Sequence, residues 1–266
     1  QIINYGSSFI GAMTFAVTDS HWFNAVEAEV YSLSTFFTAI VVWLILKWSK
    51  NHNSPGNYRY ILIIGYLLGL ATGIHLLNLL TLPFIALIIY FKNYKLSFEG
   101  ITITIFYTAL AFLTIYLGII KGIPNLANNY GWLTPTIIIV LVIAITIYSI
   151  YNENYLLSTI LASIVFVLIG FSTYSTIFIR AYQEPRINEN SPNTLVEALS
   201  YMNRDQYGDW SIFDRTSTIK RDENTYWKRY TNDKNNPSMS ETFNFVWNYQ
   251  IKEMYLRYFG WQFIGK

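Results

Sequence analysis

Residues 60–91 read YILIIGYLLGLATGIHLLNLLTLPFIALIIYF, and this stretch decides how the chain folds. It contains no Lys, Arg, Asp or Glu, so its natural solvent is lipid. A helix crosses the hydrocarbon core of a bilayer with about 20 apolar residues, and this stretch is too long for one such crossing and short for two. Basic residues flank it on both sides: Lys47, Lys50, Arg59, Lys92 and Lys95.

The two basic flanks determine the path of the stretch. Basic flanks favour the cytoplasmic side of a membrane, and both can be cytoplasmic only if the chain goes out and comes back. We therefore predict a hairpin of two short or tilted helices whose tip lies within the outer half of the membrane. The break is predicted near Gly73-Ile74-His75, and Pro83 is predicted to bend the returning limb.

Charge density divides the chain after residue 180. Residues 1–180 contain 12 charged side chains, whereas residues 181–266 contain the other 22. The predicted fold class is an all-α membrane protein, with a transmembrane helical domain over 1–180 and a small helical or irregular polar segment over 181–266. Seven apolar segments would supply the transmembrane helices: Ile2–Thr18, Val30–Trp48, Tyr60–Ile74, Leu76–Phe91, Ile101–Ile120, Leu133–Tyr151 and Leu156–Ile179.

The hairpin also orients the remaining loops. Residues 19–29 and 121–132 are expected outside, the second as a loop with turn signals at Gly122 to Asn125, and the turn 152–154 is expected inside. The polar segment is then extracytoplasmic.

Two helices are predicted within the polar segment. Thr194–Asn203 has the apolar spacing of a short helix, and Ser240 is predicted to be the N-cap of the last one.

Composition excludes several kinds of site. The chain has no Cys, which excludes disulfides, thiolate ligands and Cys nucleophiles. Its three His residues show no His-x-x-x-His spacing, so no metal site and no cofactor are expected. The net charge of +2 gives no reason to expect a nucleic acid partner. Because the chain starts at Gln1 and enters an apolar segment at once, we interpret it as an internal piece of a longer protein.

Glu27 and Glu29 are the first candidates for catalysis, because they lie at an outer membrane boundary just before an apolar helix. If both were helical, their offset of two would place them on nearly opposite faces. One would then face a cavity, and we expect this to be Glu29. The alternative, at about even odds, is that such a carboxylate only stabilises the helix N-terminus through the macrodipole.

His75 and Asn78 are candidates for substrate binding within the apolar hairpin. Polar side chains there are costly unless they face protein or water. For Asn78 a hydrogen bond between helices is the favoured interpretation. His75 is expected at the hairpin tip, on the same side of the membrane as Glu27 and Glu29.

Four further residues are candidates for substrate binding. Arg180 ends the last apolar segment, where an Arg is more often a snorkelling anchor than a phosphate ligand. Arg204, Tyr207 and Asp209 lie in a stretch that mixes charged, amide and aromatic side chains, as sugar-binding surfaces do. Ordinary loops have the same composition, so this signal is weak.

Five stretches together resemble one family. In their order and spacing they resemble the bacterial multi-pass family catalogued as domain of unknown function 2723, and the resemblance covers essentially the whole chain. The animal relatives of this family are protein O-mannosyltransferases. The stretches are WFNAVEAEVY (22–31), GLATGIHLLNLL (69–80), PRINEN (185–190), YMNRDQYGD (201–209) and MYLRYF (254–259).

The resemblance implies a glycosyltransferase of the GT-C type in the bacterial inner membrane, with its polar tail in the periplasm. Its donor substrate would be a lipid-phosphate-linked sugar, and its partners would be the lipid bilayer and a protein or glycan acceptor. The usual catalytic carboxylate of GT-C enzymes lies in the first extracytoplasmic loop, and the resemblance implies that this loop would lie upstream of Gln1. The fragment alone is therefore expected to be inactive.

Two other function classes remain open from the sequence. A transporter or flippase of a lipid-linked or polar solute would also use a broken hairpin with an intramembrane His, although no repeat relates the two halves. A non-catalytic membrane scaffold with a tail for an envelope partner is the third possibility.

Overall fold

The computed structural model describes residues 1–27, 29–203, 205, 229–230, 238–262 and 264. The described secondary structure is entirely helical. In chain order its α-helices are α1 (Ile2–Ala16), α2 (Asp19–Val26), α3 (Tyr31–Lys50), α4 (Tyr58–Thr72), α5 (Thr81–Asn93), α6 (Phe98–Leu113), α7 (Ile123–Tyr130), α8 (Leu133–Tyr151), α9 (Tyr155–Ser172), α10 (Ser175–Tyr182), α11 (Leu195–Asn203), α12 (Met239–Phe245) and α13 (Arg257–Trp261). A 3₁₀ segment (Leu76–Leu80), a first π segment (Thr114–Gly122) and a second π segment (Val246–Leu256) lie between them.

Five of the described helical runs are long and apolar enough to cross a membrane, judged by length and composition. The all-α membrane fold class is thereby confirmed, and these runs indicate a multi-pass integral membrane protein. The five are Tyr31–Lys50, Leu76–Asn93, Phe98–Tyr130, Leu133–Tyr151 and Tyr155–Tyr182.

The two other apolar segments form shorter helices. Helices α1 and α4 have 15 residues each. At 1.5 Å per residue each is about 22 Å long, which is less than the roughly 30 Å of hydrocarbon that a perpendicular helix must cross. The prediction of seven apolar helices thus agrees with the number of apolar segments, but only five of them reach membrane-spanning length.

The chain forms two compact units. The smaller unit combines 1–29 with 207–266, and the larger unit comprises 30–206. These units are defined by packing, whereas the predicted boundary after residue 180 marks a change from apolar to polar sequence. That boundary stays a prediction.

The predicted break in the apolar hairpin is confirmed. Helix α4 ends at Thr72, and the chain resumes as the 3₁₀ segment and α5. Asn51 at the end of α3 donates a side-chain hydrogen bond of 3.4 Å to the Tyr60 hydroxyl at the start of α4. At the far end, Thr38 near the start of α3 bonds to Asn78 in the 3₁₀ segment. Helix α4 therefore runs antiparallel to α3, and α5 returns alongside α3.

Small residues let α4 and α9 pack in close contact, side by side and in the same direction. Gly65 faces the Ser163 carbonyl oxygen, which a Cβ would approach to 2.9 Å. Further along, Gly69 lies against the Val167 backbone, and Gly170 lies against Tyr66. Such spacing of small residues is typical of helices that associate within membranes.

This packing gives the larger unit two ends. The basic end contains the turns 51–57, 94–97 and 152–154. The tip end contains residues 73–80 and the first π segment, because Leu79 packs in one buried cluster with Ile115, Ile119, Ile120 and Val167. The turns expected inside thus share one end, as the sequence predicted. Which end faces the cytoplasm stays a prediction.

The predicted outer loop 121–132 is wrong for most of its length. The helical run that starts at Phe98 continues through the first π segment and α7 to Tyr130. Pro124 does not stop the run, and it lies at the junction where the π segment passes into the first turn of α7. Gly131, with φ of +77°, ends α7.

The smaller unit contains the first two helices and the last two. Ser20 and Gln262 join them through two hydrogen bonds of 3.0 and 2.6 Å. The predicted N-cap Ser240 is wrong by two residues. Ser238 caps α12, because Glu241 lies three residues later and completes a capping box that Ser240 could not form with Phe243.

Candidate functional site

His75 occupies the tip of the hairpin, between α4 and the 3₁₀ segment. Its backbone is extended, and its Nδ1 accepts a hydrogen bond of 3.1 Å from the Leu77 N–H, so the ring caps the 3₁₀ segment. A neutral imidazole that accepts at Nδ1 carries its proton at Nε2. The local fold therefore selects the tautomer that presents an N–H donor.

The His75 ring is half-buried against Tyr31, the first residue of α3. The two ring centroids lie 5.5 Å apart with an interplanar angle of 45°. No described residue accepts a hydrogen bond from His75 Nε2. The tip thus offers a donor beside an aromatic ring, a combination that suits a hydroxyl or phosphate oxygen.

Asn78 is 1% exposed and ties the tip to α3. Its Oδ1 accepts from the Thr38 hydroxyl at 3.0 Å, and its Nδ2 donates to the Ser34 hydroxyl at 3.1 Å and to the His75 carbonyl at 2.9 Å. Both amide hydrogens are used within the protein. This is the hydrogen bond between helices that the sequence favoured, and a role of Asn78 in substrate binding stays a prediction.

Arg180 lies exposed in the last turn of α10. A cation at this position complements the helix macrodipole and can snorkel to a membrane interface. No carboxylate of the described residues forms an ion pair with it. Its assignment to a donor phosphate stays a prediction.

Glu27 and Glu29 lie in the link between α2 and α3. Helix α2 ends at Val26, and Glu27 follows with an extended backbone. Helix α3 starts only at Tyr31. The premise that both carboxylates are helical is therefore wrong, and their separation on opposite helix faces does not apply. Their catalytic role stays a prediction.

The remaining predicted site residues are Arg204, Tyr207 and Asp209. All three lie outside the residues that the structure describes. Helix α11, which precedes them, starts and ends within one residue of its prediction.

Lys121 is a candidate that the sequence analysis did not select. It lies in the first π segment, half-buried, with its Nζ 5.1 Å above the centroid of the Tyr116 ring. It is the first residue of the segment 121–132 that the sequence predicts to be an outer loop. A basic residue on the outer side, where such residues are scarce, was the signal that could have identified it.

The carboxylate of Glu197 illustrates the electrostatics of the polar segment. Hydrogen bonds from the Thr194 backbone and hydroxyl, and then from the Asn193 backbone, lower its pKa below the ordinary value. Among the described ranges, no group of three or more His, Asp or Glu side chains is arranged to hold a metal ion.

The comparisons with known proteins concern the first part of the chain. Residues 1–98 match the family model described as the protein O-mannosyl-transferase TMEM260 N-terminal domain. The match includes Glu27, Glu29, His75 and Asn78, and it ends before Lys121. No curated protein and no solved structure matches the chain. Over the matched residues, the family model supports the predicted relation to protein O-mannosyltransferases.

Proposed function

We propose that this chain is part of a membrane glycosyltransferase of the GT-C type. The enzyme moves a sugar from a lipid-phosphate-linked donor to a protein or glycan acceptor on the extracytoplasmic face. The observation that carries the proposal is the match of residues 1–98 to a protein O-mannosyl-transferase domain. The five apolar helices that could cross a membrane supply the setting that a lipid-linked donor requires.

The tip end is the proposed place of the reaction. Its support is the His75 imidazole, which presents Nε2–H beside Tyr31 without a described protein acceptor. In this proposal His75 donates a hydrogen bond to a sugar hydroxyl or phosphate oxygen. The Asn78 hydrogen bonds to Ser34 and Thr38 hold the tip in place, and this preorganises the His75 N–H group.

Glu27 and Glu29 have proposed roles near the acceptor. Each is a carboxylate in a link of few residues between helices, and either could orient an acceptor hydroxyl or a sugar hydroxyl. Arg180 is proposed to stabilise negative charge on the leaving phosphate. In a bacterial cell, the tip end would face the periplasm of the inner membrane, and the basic end would face the cytoplasm.

The experiment that tests the proposal is a sugar-transfer assay on the full-length protein in membrane vesicles. A labelled lipid-phosphate-linked mannose is supplied, and label on the acceptor is measured. We expect transfer by the wild type, a severe loss with His75→Leu, and little change with His52→Leu. His52 is the matched control, since it is also half-buried but lies at the basic end.

One outcome contradicts the proposed function, and two others contradict the proposed roles of individual residues. Vesicles that move the labelled lipid across the bilayer without transferring sugar would indicate a transporter or flippase. An unchanged rate with His75→Leu would make His75 a structural residue. Equal and mild effects of Glu27→Gln and Glu29→Gln would remove both carboxylates from the active site.

A further inference from the structure

Lys121 is a cation with unused hydrogen-bonding capacity at the tip end. An ammonium group has three N–H donors and no acceptor. No described residue forms an ion pair with Lys121 or accepts a hydrogen bond from its Nζ. The Tyr116 ring, 5.1 Å away, is its described electrostatic contact. A cation–π contact compensates partial burial but leaves the three donors free.

The helix that carries Lys121 is locally unusual. Thr114–Gly122 form nine residues of π-helix within a longer α-helical run. Such insertions are rare in proteins, but where they occur they are often found at functional sites. Three residues before Lys121, a Cβ added to Gly118 would meet no atom within 4 Å. The π segment therefore has open space beside Gly118, and it also carries the half-buried Lys121.

The surroundings of Lys121 connect it to the hairpin tip. Tyr116 packs against the buried cluster that contains Leu79 of the 3₁₀ segment, and Leu76, the neighbour of His75, packs against the same cluster. Lys121 thus directly follows Ile120 of this cluster, and His75 directly precedes Leu76, which packs against it. Each lies against a tyrosine ring, and each has a donor that no described residue uses.

The charge distribution of the larger unit also sets Lys121 apart. Of the seven basic residues before position 181, five lie near the basic end, and only Lys121 and Arg180 lie near the tip end. Arg180 is exposed, as a snorkelling anchor would be, whereas Lys121 is half-buried over an aromatic ring. A partly buried cation without a described anionic partner is suited to an anionic ligand.

We infer that Lys121 binds the phosphate of a membrane lipid at the tip end, beside His75. The inference rests on the proposed function and gives that function a phosphate-binding residue in addition to Arg180. Lys121 is therefore a ligand-binding residue that acts by charge and hydrogen bonding. The apolar surface of the π segment would pack against the hydrocarbon chain of the lipid.

The experiment measures equilibrium binding of a long-chain isoprenoid monophosphate to the full-length protein in phosphatidylcholine vesicles. We expect Lys121→Gln to weaken binding at least about tenfold, because a charge-assisted hydrogen bond is lost. Lys121→Arg should retain most of the affinity. Lys95→Gln, an exposed lysine at the basic end, is the matched control and should bind as the wild type does. If Lys121→Gln does not fold, as judged by circular dichroism and melting, Lys121→Met replaces it, since it keeps the long apolar stem.

The results separate this inference from the proposed function. Wild-type affinity in the folded Lys121→Gln variant overturns the inference, and so does a loss that occurs only with Arg180→Gln. If inorganic phosphate competes with the isoprenoid monophosphate as well as a lipid phosphate does, the assignment to a lipid is overturned. If phosphatidic acid vesicles compete and inorganic phosphate does not, Lys121 binds lipid phosphates in general. If lipid phosphate binding depends on Lys121 but no sugar is transferred, the Lys121 site is supported and only the glycosyltransferase proposal is contradicted. If sugar is transferred but lipid phosphate binding does not depend on Lys121, only the Lys121 site is contradicted.

Discussion

The contact between α4 and α9 leads to a prediction about Gly69. A Cβ at this position would overlap the Val167 carbonyl oxygen and would lie 2.9 Å from the Phe171 backbone nitrogen. Backbone atoms cannot rotate away as a side chain can, so Gly69→Ala must push the two helices apart. The separation would weaken the packing around the buried Val167 and Leu68.

The expected cost of Gly69→Ala follows from two opposing effects. Overpacking of a close helix contact costs about 1–3 kcal/mol. The replacement of Gly by Ala inside a helix returns about 0.5–1 kcal/mol through the lower entropy of the unfolded chain. We therefore expect a net destabilisation of up to about 2.5 kcal/mol. Gly11→Ala in α1 is the matched control, since its Cβ would meet no atom within 4 Å, and it should be neutral or slightly stabilising.

The assay is reversible unfolding of the full chain in mixed detergent micelles by increasing sodium dodecyl sulfate, followed by circular dichroism. Gly170→Ala should destabilise as Gly69→Ala does, because its Cβ would overlap the Tyr66 carbonyl oxygen on the opposite helix. The loss of stability in the double variant should be smaller than the sum of the losses in the two single variants, since one separation of the helices relieves both clashes. A Gly69→Ala protein that is at least as stable as Gly11→Ala would falsify the reasoning.

Three further predictions concern other parts of the molecule. In a chain without native cysteines, Asn152→Cys should be labelled by a membrane-impermeant thiol reagent from the cytoplasmic side and Asn129→Cys from the opposite side. Labelling of both from one side would contradict the two-ended arrangement, and reversed labelling would contradict only the orientation. Asn78→Leu should destabilise the chain by about 1–3 kcal/mol, because it leaves the buried polar partners of the amide unpaired; wild-type stability in the same unfolding assay would contradict this. The ionised Glu197 carboxylate stabilises the start of α11, and its lowered pKa means that this stabilisation is present at neutral pH and is lost as the pH falls through the pKa of the folded state. The protection factors of the α11 amides, which are corrected for the intrinsic rate of hydrogen exchange, should therefore fall at acid pH in the wild type, and Glu197→Gln should abolish that dependence; an unchanged pH profile in the variant would refute the cap.

The sequence was sufficient to predict the features that depend on local solvation. Apolar runs without charge require lipid or a protein interior, so the apolar helices and the polar last third were both predictable. The break at residues 73–75 was also predictable, because the length of the run and its basic flanks allow no single crossing. The grouping of the turns at two ends followed from the same argument.

The sequence was insufficient where helices continue or end for reasons of packing. Turn signals at Gly122 to Asn125 predicted a loop, but Pro124 in the first turn of a helix is compatible with its continuation. The expectation that Glu27 and Glu29 face opposite ways assumed a helix at both positions, yet Glu27 is extended after the end of α2. In both places the local pattern allowed two conformations.

The sequence by itself determined which residues of this protein lie in apolar helices. The free-energy cost of exposing a charged side chain to lipid depends on that residue and not on residues distant in the chain. Only the tertiary structure decided which of them meet. It placed Asn78 against Ser34 and Thr38, more than 35 residues earlier in the chain. It also brought Ile120 and Leu76, the neighbours of Lys121 and His75, together in one apolar cluster. Those pairings depend on how closely α4 can approach α9 and where the hairpin turns, and such distances follow from the packing of many side chains at once.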